Sequence, residues 1–248
     1  MTQGTVIAAG LDCGHEGRLA LGGVDFSAEQ GVRVALLGPN GGGKSTLIRT
    51  LSGEIPPLAG SFALSGRPGV VPQHDPGRKD WPATALDVVT CGTLGNVPWW
   101  RPPGRAERHS ALAALAAVGL EHLASVPYGD LSGGQRRRTQ IAAALAGGSR
   151  VLLLDEPFAG LDNVSASELE QLIARLAEGG STILVATHDL EQASSWELVL
   201  CLNGEQVAFG PPSEALTRVN LERTFGEEIV ELPDGTLLAP PHHHDHDH

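Results

Sequence analysis

No run of about 18 apolar residues occurs in the 248-residue chain, so no segment reads as a membrane-crossing helix. The first ten residues, MTQGTVIAAG, lack a basic stretch followed by a long apolar one, so no secretory signal is expected there. Positive charge is scarce: 17 Lys and Arg stand against 29 Asp and Glu, a formal net charge of -12. Phosphate affinity comes mainly from Lys and Arg, so this balance argues against a nucleic-acid partner and against adsorption to anionic lipid. It leaves room for a local basic spot at Arg136, Arg137 and Arg138. The three cysteines, Cys13, Cys91 and Cys201, are odd in number and far apart, with no CxxC or zinc-ligand spacing. Buried thiols in a reducing compartment are the expectation. No internal repeat is visible at a fixed period. What remains is a chain that is 41% hydrophobic, long enough to bury one large core or one core with inserted lobes.

Strand-like stretches fall at 4–11, 19–28 and 32–37, and short strands with Gly and Pro punctuation at 60–72. Residues 81–104 are irregular, with Trp99-Trp100 and Pro102-Pro103. Helices are expected at 47–51, 105–118, from the loop at Leu131 to about 145, and at 165–177. The runs 151–154 and 182–186 are uninterrupted apolar segments of the kind found in buried parallel strands. Helices alternating with such strands imply an α/β fold, a parallel sheet with helices on both faces. Pro233-Asp234-Gly235, between apolar stretches, signals a hairpin turn.

Three motifs carry chemistry. Gly38-Pro39-Asn40-Gly41-Gly42-Gly43-Lys44-Ser45, followed by Thr46, matches G-x-x-x-x-G-K-[ST] after a buried strand and before a helix. Glycines let backbone N–H groups curl around phosphates, and the helix start favours negative charge. Lys44 is expected to reach the β- and γ-phosphates of ATP, and Ser45 to ligate Mg²⁺. The second motif ends a buried strand in Asp155-Glu156. Asp155 is expected to hold the Mg²⁺, and Glu156 to act as general base toward an attacking water. The third, Leu131-Ser132-Gly133-Gly134-Gln135, offers a second anion cradle at a helix start.

With LSGGQ in place the chain resembles the ATP-binding-cassette (ABC) superfamily over roughly residues 5–225. The resemblance implies a P-loop ATPase core with a parallel sheet, a small antiparallel β subdomain and an inserted α-helical subdomain. It implies a nucleotide-binding domain at 1–225 with its helical lobe at about 80–145, a hairpin-like extension at 226–241 and a tail at 242–248. By the same resemblance Ser132 to Gln135 bind the γ-phosphate of ATP held by a second copy, giving a head-to-tail homodimer on ATP. Gln73 matches the glutamine that touches metal and water and couples to a membrane permease. Asp162, after Leu161, matches the D-loop, and His188 the switch histidine that contacts the γ-phosphate. The setting would be the cytoplasmic face of a bacterial membrane.

Four positions depart from the family pattern. His15 stands where an aromatic residue usually stacks on adenine, which leaves base contact and an ordinary surface turn both open. Arg137 stands where Gln is common, and Ala143 where Arg is common; both bear on packing rather than chemistry. Gly160 replaces the usual Ala or Ser of the D-loop.

Asp80-Trp81-Pro82, then Thr84-x-Leu86-Asp87-Val88-Val89 and Gly92, are similar to the zinc/manganese/iron uptake group of bacterial importers. That implies import of a divalent metal delivered by an extracytoplasmic binding protein. A non-transport ABC ATPase, or an importer of another solute such as a siderophore, would share the nucleotide motifs. Trp99 and Trp100 beside prolines suit a partner-facing loop. Residues His242, His243, His244, His246 and His248, interrupted by Asp245 and Asp247, form a candidate metal-binding tail. A solvated tail or a purification tag is the alternative, and the two aspartates favour a native sequence.

Overall fold

The computed structural model describes residues 6–73 and 82–226, and the backbone of 230–231 and 237–238. Asp80 and Trp81 and the histidines of 242–248 lie outside the described residues, as does the expected turn at 233–235.

Six strands build the central sheet: β3 (Arg33–Leu37), β5 (Gly69–Val71), β6 (Val151–Asp155), β7 (Thr182–Thr187), β8 (Leu198–Leu202) and β9 (Gln206–Gly210), in the order β5-β6-β7-β3-β8-β9. The first five of that order run parallel and β9 closes the edge antiparallel to β8. A second sheet is antiparallel, with β1 (Val6–His15) between β2 (Arg18–Ala28) and β4 (Ala59–Leu64). Val230–Glu231 (β10) and Leu237–Leu238 (β11) pair antiparallel beyond these.

The apolar runs behave as their period of two requires. In β3, Ala35 and Leu37 face one core while Val34 and Leu36 face another; in β6, Leu152 and Leu154 oppose Val151 and Leu153. Both faces of the sheet are therefore covered, which is why these strands read as continuous apolar runs. One core joins the sheet to the antiparallel β-sheet and to α1 (Lys44–Leu51), through Leu47, Ile48 and Leu51. The other joins it to α2 (Ala85–Gly92), α3 (Arg105–Ala117), α4 (Gly133–Ala146) and α5 (Asn163–Glu178). The described residues also form three short helices, α6 (Leu190–Ser194), α7 (Pro212–Ala215) and α8 (Arg218–Phe225).

The irregular region expected at 81–104 contains helix α2. Its sequence, ALDVVTCG, is rich in β-branched residues and ends in Gly, a poor intrinsic helix former. A capping box compensates: the Thr84 hydroxyl accepts from the Asp87 N–H, and the Asp87 carboxylate accepts from the Thr84 N–H. Helices α2, α3 and α4 pack on one another as a lobe beside the sheet. Gly92 sits so close to the Ala143 carbonyl that a Cβ there would collide with it.

Two smaller expectations change. Cys13 and Cys201 are buried, but Cys91 is exposed at the end of α2. The Arg136–Arg138 run is no free basic patch, because Arg137 is buried and Arg138 pairs with Glu168 at 3.0 Å.

Candidate functional site

The candidate site lies at the carboxyl ends of neighbouring strands, where parallel α/β sheets bind ligands. The register brings the motif residues together. Leu37, just before the glycine-rich loop, pairs with Thr187, just before His188. Asp155 pairs with Ala186, and Val71, two residues before Gln73, pairs with Leu154. Motifs at 38–45, 73, 155–156 and 188 thus emerge along one edge.

The loop between β3 and α1 is held by its glycines. Gly43 has φ of 96°, and a Cβ on it would lie 2.7 Å from the Leu21 Cβ. Gly38 lies against the Leu202 carbonyl with no room for a side chain, and Gly41 has φ of 80°. The loop therefore rests on β2 and on the end of β8. No side chain caps α1 and its first turn carries no acid, so its N-terminal N–H groups remain available to an anion. Lys44 is buried, and its Nζ donates to the Gly38 carbonyl at 2.6 Å and the Pro39 carbonyl at 2.9 Å. Burial pushes its ammonium below the ordinary lysine value, against the opposing charges of Glu156 and Asp155. A phosphate would supply the charge this ammonium lacks.

Asp155 ends β6 and is buried. Burial pushes its carboxyl above the ordinary value, opposed by the Ser45 hydrogen bond and by the Lys44 and Arg137 charges. Its Oδ1 is buried with no hydrogen-bond partner among the described residues. An orphaned carboxylate oxygen beside a serine hydroxyl is a hard oxygen donor set that fits Mg²⁺. Among the described residues no group of three or more His, Cys, Asp or Glu is placed to hold a metal ion.

Glu156 follows in the left-handed region, with φ of 44°. Strain of this kind in a glutamate persists only where surrounding structure imposes it. Here its N–H donates to the Ala186 carbonyl at 3.2 Å, and its carbonyl accepts from Ala159. The turn aims the side chain at Gln73, whose Nε2 donates to Glu156 Oε2 at 2.8 Å. His188 is exposed directly after β7.

The LSGGQ segment caps α4. Ser132 Oγ accepts from the Gln135 N–H at 3.2 Å, and Gln135 Oε1 accepts from the Ser132 N–H at 2.9 Å. Gly134 lies against Ser165 and Gly133 near Leu161, which seats the cradle beside Asp162. Asp162 caps α5, accepting from Ser165 N–H at 2.8 Å, and these bonds hold its carboxyl below the ordinary value. Helix α4 packs on α2, α3, α5 and β5, whereas α1 packs on β1, β2 and β6. The two candidate anion cradles of one chain thus belong to different packing neighbourhoods.

His15 ends β1 beside the turn at Glu16 and Gly17, with its side chain 65% exposed and its Nδ1 3.9 Å from the Glu16 carboxylate. The imidazole is accessible to a flat ligand.

Sequence reasoning missed the role of Arg137. It is buried, its Nη1 donates to the Pro72 carbonyl at 2.7 Å, and its Nη2 to the Gln73 carbonyl at 3.1 Å. The departure from the family's usual Gln was the one available signal.

A family profile described as ABC transporter matches residues 21–159. The manganese transport system ATP-binding protein MntB of Bacillus subtilis (strain 168) is 36% identical over 223 residues, covering 86% of this chain and 89% of that protein. The zinc transport system ATP-binding protein TroB of Treponema pallidum (strain Nichols) is 34% identical, covering 83% and 81%. Among solved structures, a chain of a transporter described as of metal-chelate type, in an inward-facing conformation, superposes with a TM-score of 0.83 at 28% identity, covering 94% of this chain and 95% of that one.

Proposed function

The chain belongs to the ABC transporter family, and from that premise we propose that it is the ATP-hydrolysing subunit of an importer for a divalent metal ion, Zn, Mn or Fe. The observation that carries the chemistry is the convergence of Lys44, Asp155, Glu156 and Gln73 on one sheet edge. The cargo class rests on relatives whose names specify manganese and zinc transport.

The loop amides of 38–45 and the α1 start receive the ATP phosphates, and Lys44 exchanges its two carbonyl contacts for β- and γ-phosphate oxygens. Mg²⁺, held by Ser45 and Asp155, would neutralise charge on those oxygens. Glu156 accepts a proton from the attacking water as general base, with Gln73 fixing its carboxylate and His188 contacting the γ-phosphate. Ser132, Gly133, Gly134 and Gln135 close over the ATP of a second copy, which makes the active form a head-to-tail dimer. Asp162 stands at that junction.

No described helix is long and apolar enough to cross a membrane. In this reading the chain works with a permease subunit at the cytoplasmic face of the membrane, and an extracytoplasmic binding protein delivers the metal. Trp99 and Trp100, 92% and 72% exposed and stacked edge-to-face at 5.8 Å, suit the permease contact.

Glu156→Gln tests both halves. The variant should bind ATP yet turn over at least about 100-fold more slowly, because the proton acceptor is gone while the cradles remain. Cells carrying it under metal limitation should lose one of Zn, Mn or Fe selectively by elemental analysis. Near-normal turnover would remove Glu156 as base, and unchanged levels of all three metals would remove the cargo assignment.

A further inference from the structure

We infer that Arg137 is a positioning residue for hydrolysis: from helix α4 it holds the backbone at Pro72 and Gln73 so that the Gln73 amide stays on the Glu156 carboxylate. The inference rests on the reading of Glu156 as the water-activating group.

The parallel ladder of β5 ends at Val71, the last residue paired with β6. Beyond it, the carbonyls of Pro72 and Gln73 have no strand to accept from. The guanidinium takes both, at 2.7 and 3.1 Å, across 65 and 64 positions of chain. A planar fork with donors in fixed directions can span two consecutive carbonyls; the single amide nitrogen of a glutamine cannot hold them in the same way. The fork is itself oriented. Arg137 Nη1 also donates to Gln140 Oε1 at 3.2 Å, and Gln140 Nε2 donates to the Tyr128 hydroxyl at 3.1 Å. Tyr128 is buried, and its N–H donates to the Ala83 carbonyl beside the α2 cap. A continuous chain of hydrogen bonds therefore runs from the entrance of α2, through Tyr128, Gln140 and Arg137, to Gln73 and then to Glu156 Oε2. Tyr128 and Arg137 are buried and Gln140 is half-buried, and the bonds that link them are partly shielded from water, where the loss of one partner is felt; the last link, to Glu156, lies open at the site. Arg137 sits two residues after Gln135, on the helix that Ser132 caps. A shift of α4 when the cradle closes on ATP is therefore passed to the backbone that carries Gln73.

The test compares the full-length chain with Arg137→Met, which keeps the stem and removes every donor, and Arg137→Lys, which keeps charge but loses the fork. Single-turnover hydrolysis of Mg-ATP and equilibrium ATP binding are read for each, alone and combined with Gln73→Ala. The expected result for R137M is a kcat lower by about tenfold with nucleotide affinity changed less than about twofold, and a smaller kcat loss of the same kind for R137K. In the Q73A background R137M should cost nothing further, because the group it positions is gone. Equal losses with and without Gln73, a loss in affinity instead of kcat, or unchanged turnover would each overturn the assignment. Should R137M fail to fold, R137K carries the same comparison. Glu156→Gln run in parallel separates the two readings: an active E156Q sinks the general-base role, whereas an inactive E156Q with a normal R137M sinks only the positioning role.

Discussion

Asp155 is placed where a carboxylate costs stability. It is buried, its Oδ1 is unpaired among the described residues, and burial raises its carboxyl above the unfolded value of 3.8. Between those two values the native state holds more proton than the unfolded chain, so stability falls as pH rises through that window, and the full penalty is present at neutral pH. Asp155→Asn removes the charge and keeps an oxygen for Ser45. The nucleotide-free chain should therefore melt a few degrees higher as D155N than as wild type at pH 7, with the gain shrinking as pH falls toward 4. Mg-ATP should stabilise wild type more than D155N, because the oxygen that fits the metal has lost its charge. A gain that does not vary with pH, or no gain at pH 7, would show that burial of this carboxylate is not the source of the cost. Glu156, at φ of 44°, stores backbone strain one residue further on. The site thus concentrates unfavourable features where phosphate and metal would relieve them.

At the level of elements, the close approach of α2 and α4 sets the geometry of the lobe. Gly92 has an ordinary helical backbone, so its requirement is space alone: a Cβ would run into the Ala143 carbonyl. Gly92→Ala should force the two helices apart at about 1–3 kcal/mol, lowering the melting midpoint by about 2–4 °C per kcal/mol. ATP affinity should change little, because the phosphate loop belongs to the other core. A G92A midpoint equal to wild type would show that the helices separate freely. Helix α2 also marks where sequence reading stopped. Its Val88, Val89 and Thr90 argue against a helix locally, and the Thr84–Asp87 box that starts it is a short signal beside the more conspicuous Trp and Pro residues that follow. The strands around the site were legible because burial on both faces writes itself as unbroken apolar runs. The glycine-rich loop was legible because its residue types are dictated locally, by positive φ at Gly41 and Gly43 and by the want of space at Gly38. Arg137 was not, because its partners lie 64 and 65 residues away and no local pattern reports them.

On the scale of the whole molecule, the two candidate anion cradles raise the question of whether one ATP is shared between two copies. Within one chain, α1 is backed by the antiparallel sheet and β6, while α4 is backed by α2, α3, α5 and β5. Each α4 cradle is therefore proposed to complete the loop of a second copy rather than its own. Two crippled chains can test this. Lys44→Ala removes the ammonium proposed to hold the phosphates, and Ser132→Arg fills the start of α4. In a head-to-tail heterodimer of the two, one site combines both lesions and the other has an intact Lys44 loop facing an intact cradle. Each variant alone should be nearly inactive, while an equimolar mixture should recover up to about a quarter of wild-type turnover, since half of randomly formed dimers are mixed and each contributes one of two sites. If loop and cradle had to come from the same chain, K44A would lack one and S132R the other, and no mixture could recover activity. Recovery that rises with the proportion of mixed dimers and disappears on dilution would tie hydrolysis to association of two copies. Absence of recovery at any concentration would place both halves of the site within one chain.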